Sequence, residues 1–294
     1  MAMSPTPSRA SRGRYPAPGE TLAARARTVL ATLDAAAKAA LAAVLGEDLA
    51  RGRMLAVGIP GAPDRPARPP RPILLPPREM AKRRAGKSRV ARIALLHALA
   101  HIELNAIDLA FDMVARFAGE VADTDFHADW VRVGAEEARH FTMLNARLTD
   151  FGAAYGDLPA HDGLWEAAEV TADDLLARLA IVPLVLEARG LDVTPAMIER
   201  MTRFGDEATA ALLQTIYRDE IGHVAIGRKW FERIAWTRGL DARTAWRALV
   251  TERFRGALKP PFNVDARARA GLSADWYAGL AGTVDMATRP PSLD

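Results

Sequence analysis

The sequence predicts an all-α protein built as a helical bundle, and three observations carry that expectation. The 294 residues are 50% hydrophobic but only 6% aromatic, with Ala and Leu prominent, a composition that favours helix over sheet. From residue 88 onward apolar residues recur at steps of three and four over long stretches, which is the helical period. Proline is concentrated at the front, 12 of the 19 falling before residue 80, so the remainder is free to form uninterrupted helices. A chain of this length can bury a sizeable core within one large domain.

Taken in order, residues 1–18 read as a flexible tail. Its Arg9, Arg12 and Arg14, with no acid before Glu20, bear a faint likeness to a transit peptide. A hydrophobic signal core is lacking, and a cytoplasmic protein is the expectation. Residues 19–87 divide into a helix or helix pair from Glu20 to Leu45 and a basic, proline-rich strap from Gly58 to Arg78, which includes Pro69–Pro70 and Pro76–Pro77. Proline excludes helix there and dictates an extended chain. Such a strap either lies across a folded body or stays mobile, and the sequence leaves both open.

Residues 88–240 form the bundle, with helices expected at 88–118, 124–152, 171–190 and 206–238 and a short one near 195–203. Thr171 and Asp206 suit N-caps, and Gly239 suits a stop. Residues 241–294 add a helix over about 241–257, ended by Pro260–Pro261, and then an irregular tail. The most apolar run, Leu175 to Ala188, is broken by Arg178, Pro183 and Glu187, well short of the roughly 20 apolar residues that span a bilayer.

The chain contains no cysteine, which excludes disulfides, thiolate metal sites, iron–sulfur clusters and a cysteine nucleophile. Any metal must therefore be held by His, Asp and Glu. Charge is uneven: residues 1–102 carry 18 Lys/Arg against 6 Asp/Glu, whereas the rest carry 21 against 30. The basic front could contact RNA or phosphate, but only Tyr15 interrupts it as an aromatic before Phe111. A strap paired with the bundle's acids, or a disordered tail, is the better expectation than nucleic-acid binding.

Two short patterns carry chemistry: Glu137-Ala-Arg-His140 and Glu220-Ile-Gly-His223. On a helix, residues i and i+3 share a face, so each pattern aims a carboxylate and an imidazole at one point. One such pattern is weak, because chance supplies it often. Here both lie in apolar seams, Trp130, Val133, Glu137, His140, Leu144, Leu148 in one helix and Leu213, Ile216, Glu220, His223, Gly227, Phe231 in the other. Each follows a helix with a single inward-facing acid: Glu103 in phase with Leu96, Leu99 and Ile107, and Glu187 in phase with Leu176, Leu179 and Pro183. The acid-to-motif separations are 34 and 33 residues. Two similar helix hairpins thus offer four carboxylates and two imidazoles at buried positions, which is costly unless something pairs them.

Buried ion pairs would also account for these six, but duplicated spacing and helix phase argue for a shared metal centre. Oxygen and imidazole ligands suit two iron ions, with manganese as the alternative. The set, Glu103, Glu137, His140, Glu187, Glu220 and His223, is the carboxylate-bridged arrangement of ferritin-like bundles, and the 47 residues from His140 to Glu187 leave room for that topology's long crossover. Glu136 and Asp219 directly precede the two motif acids. They are expected to orient the histidines in crossed pairs, Asp219 to His140 and Glu136 to His223. Tyr217 lies one turn before Glu220 and is a candidate redox or hydrogen-bonding residue, although a core tyrosine with a satisfied hydroxyl is the simpler reading. His97 and His101 share a face out of phase with Glu103 and are read as surface or supporting residues. His127 is read as structural. His161, in the loop near Tyr155 and Asp162, could line an entrance.

Several segments resemble the ferritin-like family known as domain of unknown function 455. They are His101-Ile-Glu-Leu-Asn-Ala106, Glu136-Glu-Ala-Arg-His140, Tyr155-Gly-Asp-Leu-Pro, Leu184-Val-Leu-Glu-Ala-Arg-Gly-Leu-Asp192, Tyr217-Arg-Asp-Glu-Ile-Gly-His-Val224 and Pro260-Pro-Phe-Asn263. The resemblance covers roughly residues 70–280. It implies a ferritin-like bundle and a dimetal site with the six residues above as ligands, but no settled reaction. The ligand set is also similar to that of di-iron hydroxylases, including the bacterial tRNA hydroxylase.

The expected function is a non-haem di-iron oxidoreductase that activates dioxygen or peroxide, a hydroxylase or oxidase acting on a small molecule or tRNA. It would need an external electron donor, since no flavin or nicotinamide fingerprint is present. No membrane partner is expected, and an oligomer is compatible with the sequence. A ferroxidase or a manganese catalase-like peroxide scavenger would use the same ligands. The non-enzymatic readings are an iron-binding or RNA-associated helical protein, and a metal-free bundle.

Overall fold

The computed structural model describes residues 20–280 apart from 54, 77–78 and 81–85; the predicted tail at 1–18 and the chain from 281 onward lie outside the described residues. Side-chain caps set where the helices begin. Thr21 accepts from the Ala24 amide to start α1 (Leu22–Leu30), Asp34 caps α2 (Ala35–Ala50), and Ser88 caps α3 (Arg89–Arg116). Asp123 caps α4 (Thr124–Asp150) through the Asp125 amide. Each supplies an acceptor to an amide that has no partner within its helix. Then follow α5 (Gly163–Glu169), α6 (Leu175–Ile181), a π-helical turn (Val182–Glu187) and α7 (Ala188–Arg203). Asp206 caps α8 (Glu207–Thr237), and α9 (Ala242–Arg253), α10 (Val264–Arg269) and α11 (Ala274–Tyr277) complete the described chain. Among the described residues the only strand-like pairing is an isolated bridge between Leu74 and Ala160.

The architecture is an all-α helical bundle. Its main pairs are α3 with α4 and α7 with α8, while α1 packs on α3 and α2 on α4. α3 is long and apolar enough to cross a bilayer by length and composition, yet it is a core helix. Leu104, Ile107 and Phe111 are buried, and so are Asn105, Asp108 and Asp112. Those acids are paired: Asp108 with Lys38 at 2.5 Å and Arg68 at 3.0 Å, Asp112 with Arg178 and with Arg116. Buried charges persist when partnered in this way.

The proline-rich strap lies across the bundle, which decides what the sequence left open. Its Gly61 amide donates to Ala115 O and its Ala67 amide to Leu30 O, both at 2.8 Å. Arg68 reaches Asn105 Oδ1 at 2.7 Å, and Arg65 pairs with Asp162 and Glu169. The basic front thus neutralises acids of the body it crosses.

Four expectations need correction. The third bundle helix starts at Leu175, not 171: Asp174 caps it, accepting from the Leu176 amide at 3.0 Å, whereas Thr171 donates its hydroxyl to Ala167 O and accepts from Arg178 Nε. α5 occupies a stretch expected to be loop. Residues 195–203 belong to α7, with Pro195 inside it. The proline removes the amide that would bond Leu191 O, and Asn263 Nδ2 donates to that oxygen instead at 3.1 Å. Finally, part of the expected C-terminal tail is ordered as α10 and α11, which bury Leu272, Trp276 and Tyr277 against the bundle.

Candidate metal centre

All six predicted ligands lie at the centre of the bundle, and five of them are buried. Glu103 comes from α3, Glu137 and His140 from α4, Glu187 from the π turn, and Glu220 and His223 from α8. Both imidazoles turn Nδ1 inward. His140 Nδ1 lies 3.2 Å from Glu103 Oε2 and 3.3 Å from Glu137 Oε2. His223 Nδ1 lies 3.0 Å from Glu137 Oε1 and 3.6 Å from Glu220 Oε1. Glu137 therefore offers one oxygen to each histidine, and the two rings stand 5.9 Å apart.

The outward nitrogens have acceptors of their own. His140 Nε2 donates to Asp219 Oδ2 at 3.0 Å and His223 Nε2 to Glu136 Oε2 at 2.7 Å. The pairing is crossed between α4 and α8. It holds each imidazole with its proton outside and its lone pair inside when neutral. Arg139 additionally bonds Asp219.

Glu103, Glu137, His140 and Glu220 each present one ligand atom within 4.8 Å of the others, a group that could hold a metal ion. Glu187 and His223 stand outside that group of four. Glu137 Oε1, Glu187 Oε2 and His223 Nδ1 are buried and make no hydrogen bond; His223 Nδ1 and Glu137 Oε1 are close but misaligned for one. Buried polar atoms seldom go unsatisfied, and here three share one interior cluster. They fit coordination to a cation better than they fit a hydrogen-bonded core.

The electrostatics point the same way. Burial raises the Glu103 carboxyl well above the ordinary range, and the neighbouring Glu137 adds to this. Burial likewise raises Glu187, helped by Glu220 and Glu137, and it raises Glu220, helped by Glu137. For Glu137 burial is outweighed by the charge of the adjacent His223 and by the approach of His140 Nδ1 to its other oxygen, which hold it well below the usual value. Burial would depress His140, but Asp219, Glu103 and Glu137 together lift it to about 12. Without a cation the cluster can balance its crowded negative charge only by holding protons.

The bend that delivers Glu187 is the π turn. Pro183 lies within it, and π turns often sit at functional sites. Gly227 on α8, missed as a requirement by sequence, makes room for it. A Cβ at Gly227 would lie 2.6 Å from Pro183 Cγ and closer still to its Cβ.

Tyr217 is not brought to the cluster: its hydroxyl accepts from Asn263 Nδ2 at 3.0 Å, tying α8 to the C-terminal segment. His97 and His101 are buried rather than at the surface. His97 Nε2 accepts from the Gly156 amide at 2.9 Å. His101 Nε2 donates to His161 O at 3.0 Å, and its Nδ1 accepts from the Tyr155 hydroxyl at 2.8 Å. These histidines hold the 155–161 loop against α3. His127 Nε2 donates to Val121 O at 3.0 Å, a structural contact. His161 lines a cavity of about 270 Å³ on whose inner wall lie Glu103, Glu137, Glu187 and Glu220.

A sequence profile described as protein of unknown function (DUF455) matches residues 31–278. The chain belongs to this family. A Haemophilus influenzae protein described as uncharacterized is 42% identical over 221 residues, covering 72% of this chain and 76% of that protein. No solved structure matches the chain at a significant level. Family membership carries no stated activity, so the arguments for function rest on the site.

Proposed function

We propose that this family member is a non-haem di-iron oxidoreductase of the ferritin-like class that activates dioxygen or peroxide to oxidise an organic substrate. The observation that carries the reading is the convergence of four carboxylates and two Nδ1-directed imidazoles from two similar helix hairpins, three of whose atoms are buried without hydrogen bonds. Glu137, with one oxygen toward each histidine, and Glu220 from the other hairpin would hold the ions in common. Glu103 with His140, and Glu187 with His223, would complete the two sets of ligands. Bound there, iron would supply redox chemistry toward dioxygen or peroxide, and an external donor would be needed to return its electrons.

The chain's own residues do the rest. Asp219 and Glu136 hold the histidine tautomers. The apolar wall on the carboxylate side keeps water from the reacting face. That wall also favours oxidation of an organic substrate over ferroxidase activity, which calls for a polar route for hydrated iron. Manganese suits the same donors and is separated by experiment.

The test is the metal content of untagged protein, followed by the optical response of the ferrous form to dioxygen. Two irons per chain, an oxygen-dependent change, and loss of both in Glu137→Ala and His223→Ala support the reading. A chain that takes up no metal, with both variants unchanged in stability, sinks it.

A further inference from the structure

The two sides of the cluster differ. The histidine side is closed by Asp219, Glu136 and Arg139. The carboxylate side faces the 270 Å³ cavity, whose other walls include Leu99, Ala106, Val182, Leu186, Met197 and Ile216. An apolar cavity of about 150 Å³ holds one benzene and stays dry, so this one has room for a body nearly twice that size. A water needs two to four polar partners; away from the carboxylates only His161, Arg189 and Thr194 bring polar side chains to the lining, and the rest of it is apolar.

Gly190 is the second observation. It lies in α7, where glycine costs about 1 kcal/mol relative to alanine. No turn demands it, since its φ is not positive, and no packing demands it either: a Cβ there would meet nothing within 4 Å. Gly190 lines the cavity, and the room beside it is open space. The polar residue next to it, Arg189, is engaged with Lys259 O at 2.7 Å and Asp192 at 3.4 Å. With Arg189 engaged, an anionic ligand would face the carboxylates of the lining without a free Lys or Arg partner, and an unpaired charge in such a space is costly.

We propose that this cavity is the binding chamber for one uncharged, apolar organic molecule of about bicyclic or eight-to-ten-carbon size, kept open by Gly190. Its role as the substrate chamber rests on the di-iron reading above; its capacity to bind does not. The test therefore uses the full-length chain without metal, titrated by calorimetry with naphthalene and 1-octanol, and with octanoate as the charged counterpart. Saturable one-to-one binding of the two neutral probes is expected, with octanoate at least tenfold weaker. Gly190→Phe should weaken the neutral probes at least tenfold while Gly190→Ala retains them, and Val193→Phe, on the same wall, gives an independent blockade if Gly190→Phe does not fold. The proposal is overturned by no saturable binding, by octanoate binding as tightly as 1-octanol, or by a folded blocking variant that binds like the parent. If the protein proves metal-free but still binds 1-octanol in a Gly190-dependent way, the chamber stands and the di-iron reading falls.

Discussion

Gly227 of α8 lies directly against Pro183 of the π turn, too close for any side chain between them. That contact joins the second Glu-x-x-His helix to the segment that carries Glu187. Gly227→Ala should therefore force the turn outward and cost about 1–3 kcal/mol, the usual range for overpacking. Chemical denaturation measures the loss, and metal analysis should show that the ion on the Glu187–His223 side is affected first. An alanine variant with parental stability and metal content would mean the turn does not depend on this contact.

The crossed carboxylates make separable predictions. Outer partners of metal-bound histidines typically contribute about 10–100-fold to metal affinity. Asp219→Asn should loosen the ion at His140 and Glu136→Gln the ion at His223, each by that order, with the bundle still folded. Competition with a chelator reads the affinities. Equal loss at both positions from either variant would contradict the pairing.

Metal uptake should release protons. His140 is lifted to about 12 and His223 well above its ordinary value, in each case because carboxylate neighbours outweigh burial. Both therefore hold a proton more tightly than a free imidazole does in the metal-free chain, and a ligating Nδ1 must be bare. Apparent affinity must then rise with pH. Calorimetry in two buffers of different ionisation enthalpy counts the protons; zero net release would overturn the assignment of these imidazoles as ligands.

Asn263 does three jobs with one side chain: it donates to Leu191 O and to the Tyr217 hydroxyl, and it caps α10 through the Ala266 amide at 3.1 Å. Asn263→Ala leaves the Leu191 carbonyl with no partner opposite Pro195 and removes a cap. A loss of about 2–4 kcal/mol is expected from these terms together, read as a lower denaturation midpoint. Tyr217→Phe should cost less, and retention of oxygen reactivity in that variant would place Tyr217 outside the chemistry.

The sequence by itself determined the helical class, the long helices and the inward phase of the six candidate ligands, because a 3.6-residue period and a repeated Glu-x-x-His spacing are properties of the chain alone. It also supplied Glu136 and Asp219, since each adjoins a motif acid. Only the tertiary structure decided the rest. The strap docks because Arg65 and Arg68 meet Asp162, Glu169, Asn105 and Asp108, which are 37 to 104 residues distant, and no local pattern encodes such pairings. Pro195 is tolerated within a helix because Asn263 replaces the missing donor. The role of Gly190 was invisible for the same reason: a glycine in a helix reads as a weakness until the space beside it is seen to be a cavity.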